Sequence, residues 1–389
     1  MRKICVALAA ALVLQLALTP FAAVHAAPAP LAEDVITSKA AILVDAATGT
    51  VLFEKNADEA LPVASITKVM TLLLIFEALD AGRFSLNDTV TVSQYAAGMG
   101  GSQVLLDAGG NYLASDLIKS IIVASANDAS VAMAEYLYGT EESFVAKMNE
   151  RAKQLGMENT LFTNCNGLPN ADEGMSARDV AVMSRELIRH GTYFQYSKIW
   201  MDELTHEGGR VTMLTNTNKL IRNYDGCDGI KTGFTNAAGF CLSASAKKGD
   251  TRMIAVVLGG TDSKTRFAEA EKLLNYGFSN YETKQFYAAG DVVQEGLEIA
   301  GLADGIFNVL AKDELSALIE KGEAQPKVEI TLQEDIEPPL IAGDVIGKAR
   351  IRMGEDVIAE TDLVVDRDIA APGLADYWRN LLRQWRGAA

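Results

Sequence analysis

The sequence predicts an α/β domain of antiparallel strands and helices, followed by a small all-β domain and a C-terminal amphipathic helix. Three observations carry this prediction. Between Val35 and about residue 285, stretches with apolar residues at helical spacing are interleaved with short alternating runs. From about Phe286 the alternating runs take over. At the end, Leu374, Tyr377, Trp378, Leu381, Leu382 and Trp385 line one helical face while Arg379, Arg383 and Arg386 lie on the other.

The elements follow in order. Residues 1–26 read as a secretory signal: Arg2 and Lys3, the apolar stretch Ile4 to Leu18, then Val24-His25-Ala26 as a cleavage site with Ala27 as the mature start. Ala40 to Val44 and Val51 to Glu54, separated by Asp45-Ala46-Ala47-Thr48-Gly49, are a hairpin. The stretch Leu61 to Gly82 is a helix, with Pro62 before it, Val69, Leu72, Leu73 and Phe76 at helical intervals and Gly82 at the C-terminal cap. Leu86 to Ser93 gives a loop and short strand, and Gly98 to Gln103 a flexible connection without a phosphate-loop ending. Helical periodicity from Ser115 to Tyr138 is broken at Ser125-Ala126-Asn127-Asp128, residues that compete with the helical backbone.

Glu142 to Leu155 is amphipathic, Thr163 to Gly174 is a loop, and Ser176 opens a helix that runs to His190. Strands are expected at Arg210 to Thr215, Phe240 to Ala246 and Met253 to Leu258, and a helix at Lys264 to Tyr276. In the β domain, strands are expected at Val328 to Leu332, Lys348 to Met353 and Val357 to Val365, with one helix, Lys312 to Glu320. The segmentation is therefore 1–26 signal, 35–285 α/β domain, 286–370 β domain and 371–389 helix.

Composition removes several classes of function. A chain of 389 residues with 49% hydrophobic residues can bury a sizeable core, and a net charge of −16 offers no broad basic surface for nucleic acid. The arginine face of the last helix stands out against that charge and points to an anionic membrane surface. Beyond the signal there are two histidines, His190 and His206, which argues against a Ser-His-Asp triad or a His-rich metal site. Cys165, Cys227 and Cys241 permit one disulfide and a leftover thiol, or three buried thiols. A serine enzyme built from this chain needs a lysine base.

Ser65 and Lys68 meet that need. Three residues apart on a helix, they share a face, and the first turn offers free N–H groups and the positive end of the dipole to an oxyanion. Ser65-Ile66-Thr67-Lys68, Ser125-Ala126-Asn127 and Lys231-Thr232-Gly233 stand in that order along the chain. This triplet of motifs resembles the low-molecular-weight penicillin-binding proteins that are serine D-Ala-D-Ala carboxypeptidases, peptidase family S11. Pro62-Val63-Ala64, Gly100 to Gln103, Asn216 to Leu220, Gly229 and Ala237-Ala238-Gly239 extend the likeness, which runs from about Val35 to the last helix.

The resemblance implies a β-lactamase/transpeptidase-like domain with no cofactor and no metal. It implies that Ser65 attacks the penultimate D-alanine carbonyl of a peptidoglycan stem peptide, that Lys68 takes the proton, and that Ser125 relays it to the leaving amine. Asn127 would hold the substrate amide and the lysine, and Lys231 with Thr232 the terminal carboxylate. Gly233 would let the substrate backbone lie against its strand, and the N–H groups of Ser65 and Phe234 would form the oxyanion hole. Arg266 matches a carboxylate-binding arginine, although an arginine opening a helix is ordinarily solvated. β-Lactams are the implied covalent inhibitors, and the implied location is the outer face of the cytoplasmic membrane, held peripherally by the last helix. Phe234 stands where some relatives have histidine, and Cys165 where they often have proline. The competing readings are a secreted serine β-lactamase, whose deacylating glutamate motif is missing from Met157 to Leu161, and a non-catalytic peptidoglycan-binding protein.

Overall fold

The computed structural model describes residues 29–378 apart from 172, 300, 301, 303, 304 and 324; the expected signal and the arginine face of the last helix lie outside these residues. The chain begins with strands β1 (Ala40–Asp45) and β2 (Val51–Lys55), joined as the expected hairpin. Helix α1 (Lys68–Asp80) follows, then β3 (Thr89–Thr91), a single turn α2 (Gln94–Ala97) and β4 (Asn111–Leu113). Helices α3 (Ala114–Ala124), α4 (Asn127–Tyr138), α5 (Glu141–Gln154), α6 (Ala177–Leu187) and α7 (Tyr193–Ser197) form the next block. After them come β5 (Met201–Thr205), β6 (Val211–Thr215), a short turn α8 (Leu220–Asn223), β7 (Cys227–Thr235), β8 (Gly239–Lys248), β9 (Thr251–Gly260) and α9 (Ser263–Asn280).

The five strands β2-β1-β9-β8-β7 make one antiparallel sheet with β7 at its edge. Because side chains alternate across a sheet, Ala41, Leu43 and Val257 face α9, where Phe267, Ala270, Leu273 and Leu274 cover them. Ile42, Val44 and Val256 face the opposite way, into the larger core built from α1, α3, α4 and α6. Helix α1 is apolar around its whole circumference, Leu72 to Phe76 being buried without exception, so it is the central helix of the domain. Gly82 adopts φ +68°, as the expected cap requires. Ser176 caps α6 by accepting from the Asp179 N–H.

The second domain is a five-stranded antiparallel sheet, β11-β12-β16-β15-β14, with a two-stranded ribbon, β10-β13, packed on it. The strands are β10 (Tyr281–Tyr287), β11 (Val292–Glu298), β12 (Ile306–Ala311), β13 (Leu315–Glu320), β14 (Lys327–Leu332), β15 (Val345–Met353) and β16 (Asp356–Val365). Thr283 joins the domains by donating its hydroxyl to buried Asp45 at 2.6 Å.

Two expectations are corrected here. Lys312 to Glu320 is not a helix: Leu315 to Glu320 is strand β13, paired with β10, and it buries Leu315, Ala317 and Ile319 on alternate positions. Its residues favour a helix locally, but the apolar slot between the ribbon and the sheet rewards a period of two. The connection after Gly98 is also not free. Asn127 and Asp128, at the start of α4, accept from and donate to its backbone at Gly100, Ser102, Val104 and Leu106. In addition, Arg210 to Thr215 supplies β6, which pairs with β5 in a separate hairpin outside the main sheet.

Candidate active site

Ser65 lies in one tight 3-10 turn, Ala64–Thr67, immediately before α1, rather than inside the α-helix itself. Ala64 carries φ +52°, a left-handed conformation costing a non-glycine residue about 1–2 kcal/mol, and strain of this kind concentrates where a side chain must be aimed. The turn directs the Ser65 hydroxyl to 3.1 Å from Nζ of Lys68. Lys68 is completely buried. Its amine donates to Oδ1 of Asn127 at 2.6 Å and to the Asn166 carbonyl at 2.5 Å. Burial pushes the Lys68 ammonium down to about 7, against the smaller upward pull of Cys165, Glu173 and Asp128. An amine in that range is partly neutral near physiological pH and can accept a proton.

Ser125 caps α3 in the left-handed region, at the break expected from sequence, and Asn127 opens α4 two residues on. Both are buried, and the Nδ2 of Asn127 donates to the Gly100 carbonyl at 2.7 Å. The third motif lies on the edge strand β7. Lys231 is buried and donates to the Thr232 carbonyl at 3.1 Å. Its pKa falls well below the ordinary lysine range, first by burial and then by the charges of Lys68 and Arg266, so the two lysines share one electrostatic site. Thr232 donates to the hydroxyl of Thr217 at 2.7 Å.

Gly233 brings this strand against the serine turn. A Cβ there would stand 2.4 Å from the Val63 carbonyl and 3.3 Å from the Ile66 backbone nitrogen, so the close approach is to the protein's own backbone. Phe234, the next residue, is half exposed at the rim, its ring 4.3 Å from that of Phe240.

Arg266 is not solvated. It is buried behind β7, donates to the carbonyls of Gly233 at 3.0 Å and Cys241 at 3.1 Å, and packs over Phe240 and Phe267. Neither histidine belongs to this cluster. His190 pairs with Asp80, and His206 is buried between Tyr112 and Thr212. The three cysteines are free and buried, with the thiol of Cys227 pushed up to about 12 and that of Cys241 to about 11 by burial.

Residues 24–262 match the family described as D-alanyl-D-alanine carboxypeptidase, and residues 281–371 match the C-terminal domain of penicillin-binding protein 5. The chain belongs to the D-alanyl-D-alanine carboxypeptidase family. It is 39% identical over 350 residues to the D-alanyl-D-alanine carboxypeptidase DacF of Bacillus subtilis, covering 90% of each chain. The DacC enzyme of Escherichia coli is 35% identical over 384 residues, 95% of this chain and 94% of the relative. Among solved structures, penicillin-binding protein 5 of Haemophilus influenzae superposes with a TM-score of 0.71 at 32% identity, over 86% of this chain and 98% of that one.

Within this D-alanyl-D-alanine carboxypeptidase fold, sequence reasoning missed the loop that completes the lysine's environment. The Asn166 carbonyl is a backbone acceptor that no side-chain motif reveals, although Asn164-Cys165-Asn166-Gly167 does carry a turn signature. Behind it, Glu141 accepts from the Cys165 N–H at 2.9 Å and from the Tyr95 hydroxyl at 2.7 Å.

Proposed function

We propose that this chain is a serine D-Ala-D-Ala carboxypeptidase that trims the terminal D-alanine from peptidoglycan stem pentapeptides. The observation that carries the reading is the buried, partly neutral Lys68 amine 3.1 Å from the Ser65 hydroxyl, beside a second buried lysine. Lys68 takes the Ser65 proton as Oγ bonds to the penultimate carbonyl carbon. Collapse of the adduct breaks the amide bond, and the departing D-alanine nitrogen receives the proton through Ser125. Water then adds to the ester and frees Ser65. Asn127 holds Lys68 and faces the substrate amide, while Lys231 and Thr232 attract the terminal carboxylate. The N–H groups of Ser65 and Phe234 stabilise the oxyanion, a donor of this kind being worth about 3 kcal/mol. Arg266 supports this strand from behind and adds positive charge to the carboxylate site.

The same serine takes β-lactams as covalent inhibitors. One solved neighbour, penicillin-binding protein D2 of Listeria monocytogenes, is described in an ampicillin-bound form. The β-lactamase alternative gains nothing from the region of Met157 to Leu161, where Asn159 and Thr160 bond Asp179 at the start of α6. Release of D-alanine from a stem pentapeptide by the purified chain tests the proposal, and a folded protein that releases none returns it to the binding-protein class. The rate is expected to rise as pH increases through about 7, because only the deprotonated Lys68 can accept the serine proton. A kcat/KM that does not change between about pH 5.5 and 8.5 would remove Lys68 from the role of base.

The leader-like residues 1–26 support export, with the domain division 35–285 and 286–370 on the outer side of the membrane. Among the described residues no helix is long and apolar enough to cross a bilayer. Leu374 to Trp378 are helical, and Leu374, Tyr377 and Trp378 are exposed, as an interfacial anchor over 371–389 requires. A chain ending at Gly373 is expected to move to the soluble fraction of cells that process the leader, and its continued sedimentation with membranes would reject the anchor.

A further inference from the structure

Glu173 is a half-buried carboxylate to which the reaction above assigns no task. Its Oε1 accepts from the hydroxyl of Thr67 at 2.6 Å, and its Oε2 from Nδ2 of Asn164 at 3.3 Å. Thr67 is the last residue of the serine turn and precedes Lys68. Asn164 turns the opposite loop, for its Oδ1 accepts from the N–H groups of Asn166 at 3.1 Å and Gly167 at 2.6 Å. That turn aims the Asn166 carbonyl at Nζ of Lys68. The loop has no room to slide. Gly167, at φ +78°, would place a Cβ 2.1 Å from the Ala64 carbonyl.

Glu173 therefore ties the helix side of the Lys68 pocket to its loop side. We propose that Glu173 is a positioning residue for the base: it holds the Asn166 carbonyl and the serine turn in register around Lys68 and adds a carboxylate to the wall of that pocket. This rests on the reading of Lys68 as base. Both carboxylate oxygens already accept hydrogen bonds, which favours a structural and electrostatic part over proton abstraction from water.

The titratable groups facing Lys68 come from each wall of its pocket: Glu173 and the Cys165 thiol, which burial pushes well up, from the loop, Asp128 from α4 and Lys231 from β7. Glu173 and Asp128 favour the ammonium, and a charged Lys68 in turn lowers the pKa of Lys231. Burial raises the Glu173 pKa while Lys68 and the bonds from Thr67 and Asn164 lower it. Removing the Glu173 charge takes away one group that favours protonated Lys68, so the neutral amine persists to lower pH.

The test compares the full chain with Glu173→Gln and Glu173→Ala, following D-alanine release and fluorescent-penicillin acylation across pH. For Glu173→Gln the acidic limb of kcat/KM is expected to move to lower pH by about half a unit or more, with the plateau within roughly threefold of wild type. Glu173→Ala, which also loses the tie, is expected to lower the plateau about tenfold or more. Superimposable profiles for wild type and Glu173→Gln overturn the proposal. So does a Glu173→Gln enzyme that acylates normally but no longer releases D-alanine, since that assigns the carboxylate to the hydrolytic water. If the wild-type chain releases no D-alanine, the functional reading falls instead. In that event NMR titration of the 13C-labelled Lys68 side chain still decides the coupling, and an identical Lys68 pKa in wild type and Glu173→Gln rejects it.

Discussion

Ser65→Ala is expected to abolish both D-alanine release and covalent penicillin labelling, by roughly four orders of magnitude or more, while far-UV circular dichroism and Tm stay near wild type. The loss is large because the other hydroxyl of the serine turn, that of Thr67, is buried and engaged with Glu173. The fold should survive because the Ser65 side chain is only half-buried and bonds to Lys68 within the same turn. Labelling of the variant at the wild-type level would show that the nucleophile is a different residue. Loss of labelling together with loss of the circular dichroism signal would point to misfolding instead.

Gly233→Ala is expected to damage the site as well, to a smaller degree and by a different route. The new Cβ meets the Val63 carbonyl at 2.4 Å and the Ile66 side chain and backbone nitrogen at 3.3 Å, and the two backbone atoms cannot rotate away. Overpacking of this kind typically costs about 1–3 kcal/mol, relieved by moving edge strand β7 off the serine turn. A displacement of about 1 Å between reacting groups is enough for a loss on the order of a hundredfold. Acylation by penicillin should fall by about that factor, with Tm lowered by a few degrees. An alanine variant that acylates at the wild-type rate would mean that the strand and the turn do not need this close approach.

The two substitutions also separate what is local from what is not. The Ser65 and Lys68 pair, the break at Ser125 to Asn127 and the alternation of β8 and β9 are consequences of spacing within a few residues, and they were legible in the chain. The position of Gly233 was legible too, but the close approach it permits to Val63 and Ile66, some 170 residues earlier in the chain, was not.

Arg266 illustrates the same limit. Its place at the opening of a helix suggested solvent, but α9 packs across β8 and β9 and turns the guanidinium onto the Gly233 and Cys241 carbonyls. The segment from Leu315 to Glu320 shows it for secondary structure, where pairing with β10 overrode a local helical preference.

Sequence alone determined the chemistry available to this protein: a hydroxyl and an amine one turn apart, a second lysine on a glycine-bearing strand, and a scarcity of histidine that argues against a Ser-His-Asp triad. Tertiary structure decided whether those groups could act. Only burial between α1, α4, β7 and the Asn164 to Gly167 loop strips water from Lys68 and brings its pKa to about 7, and only long-range packing supplies the Asn166 carbonyl and the Glu173 carboxylate that surround it. The physical reason is that desolvation and backbone acceptors are properties of a site in space, and neither leaves a pattern in the order of the residues.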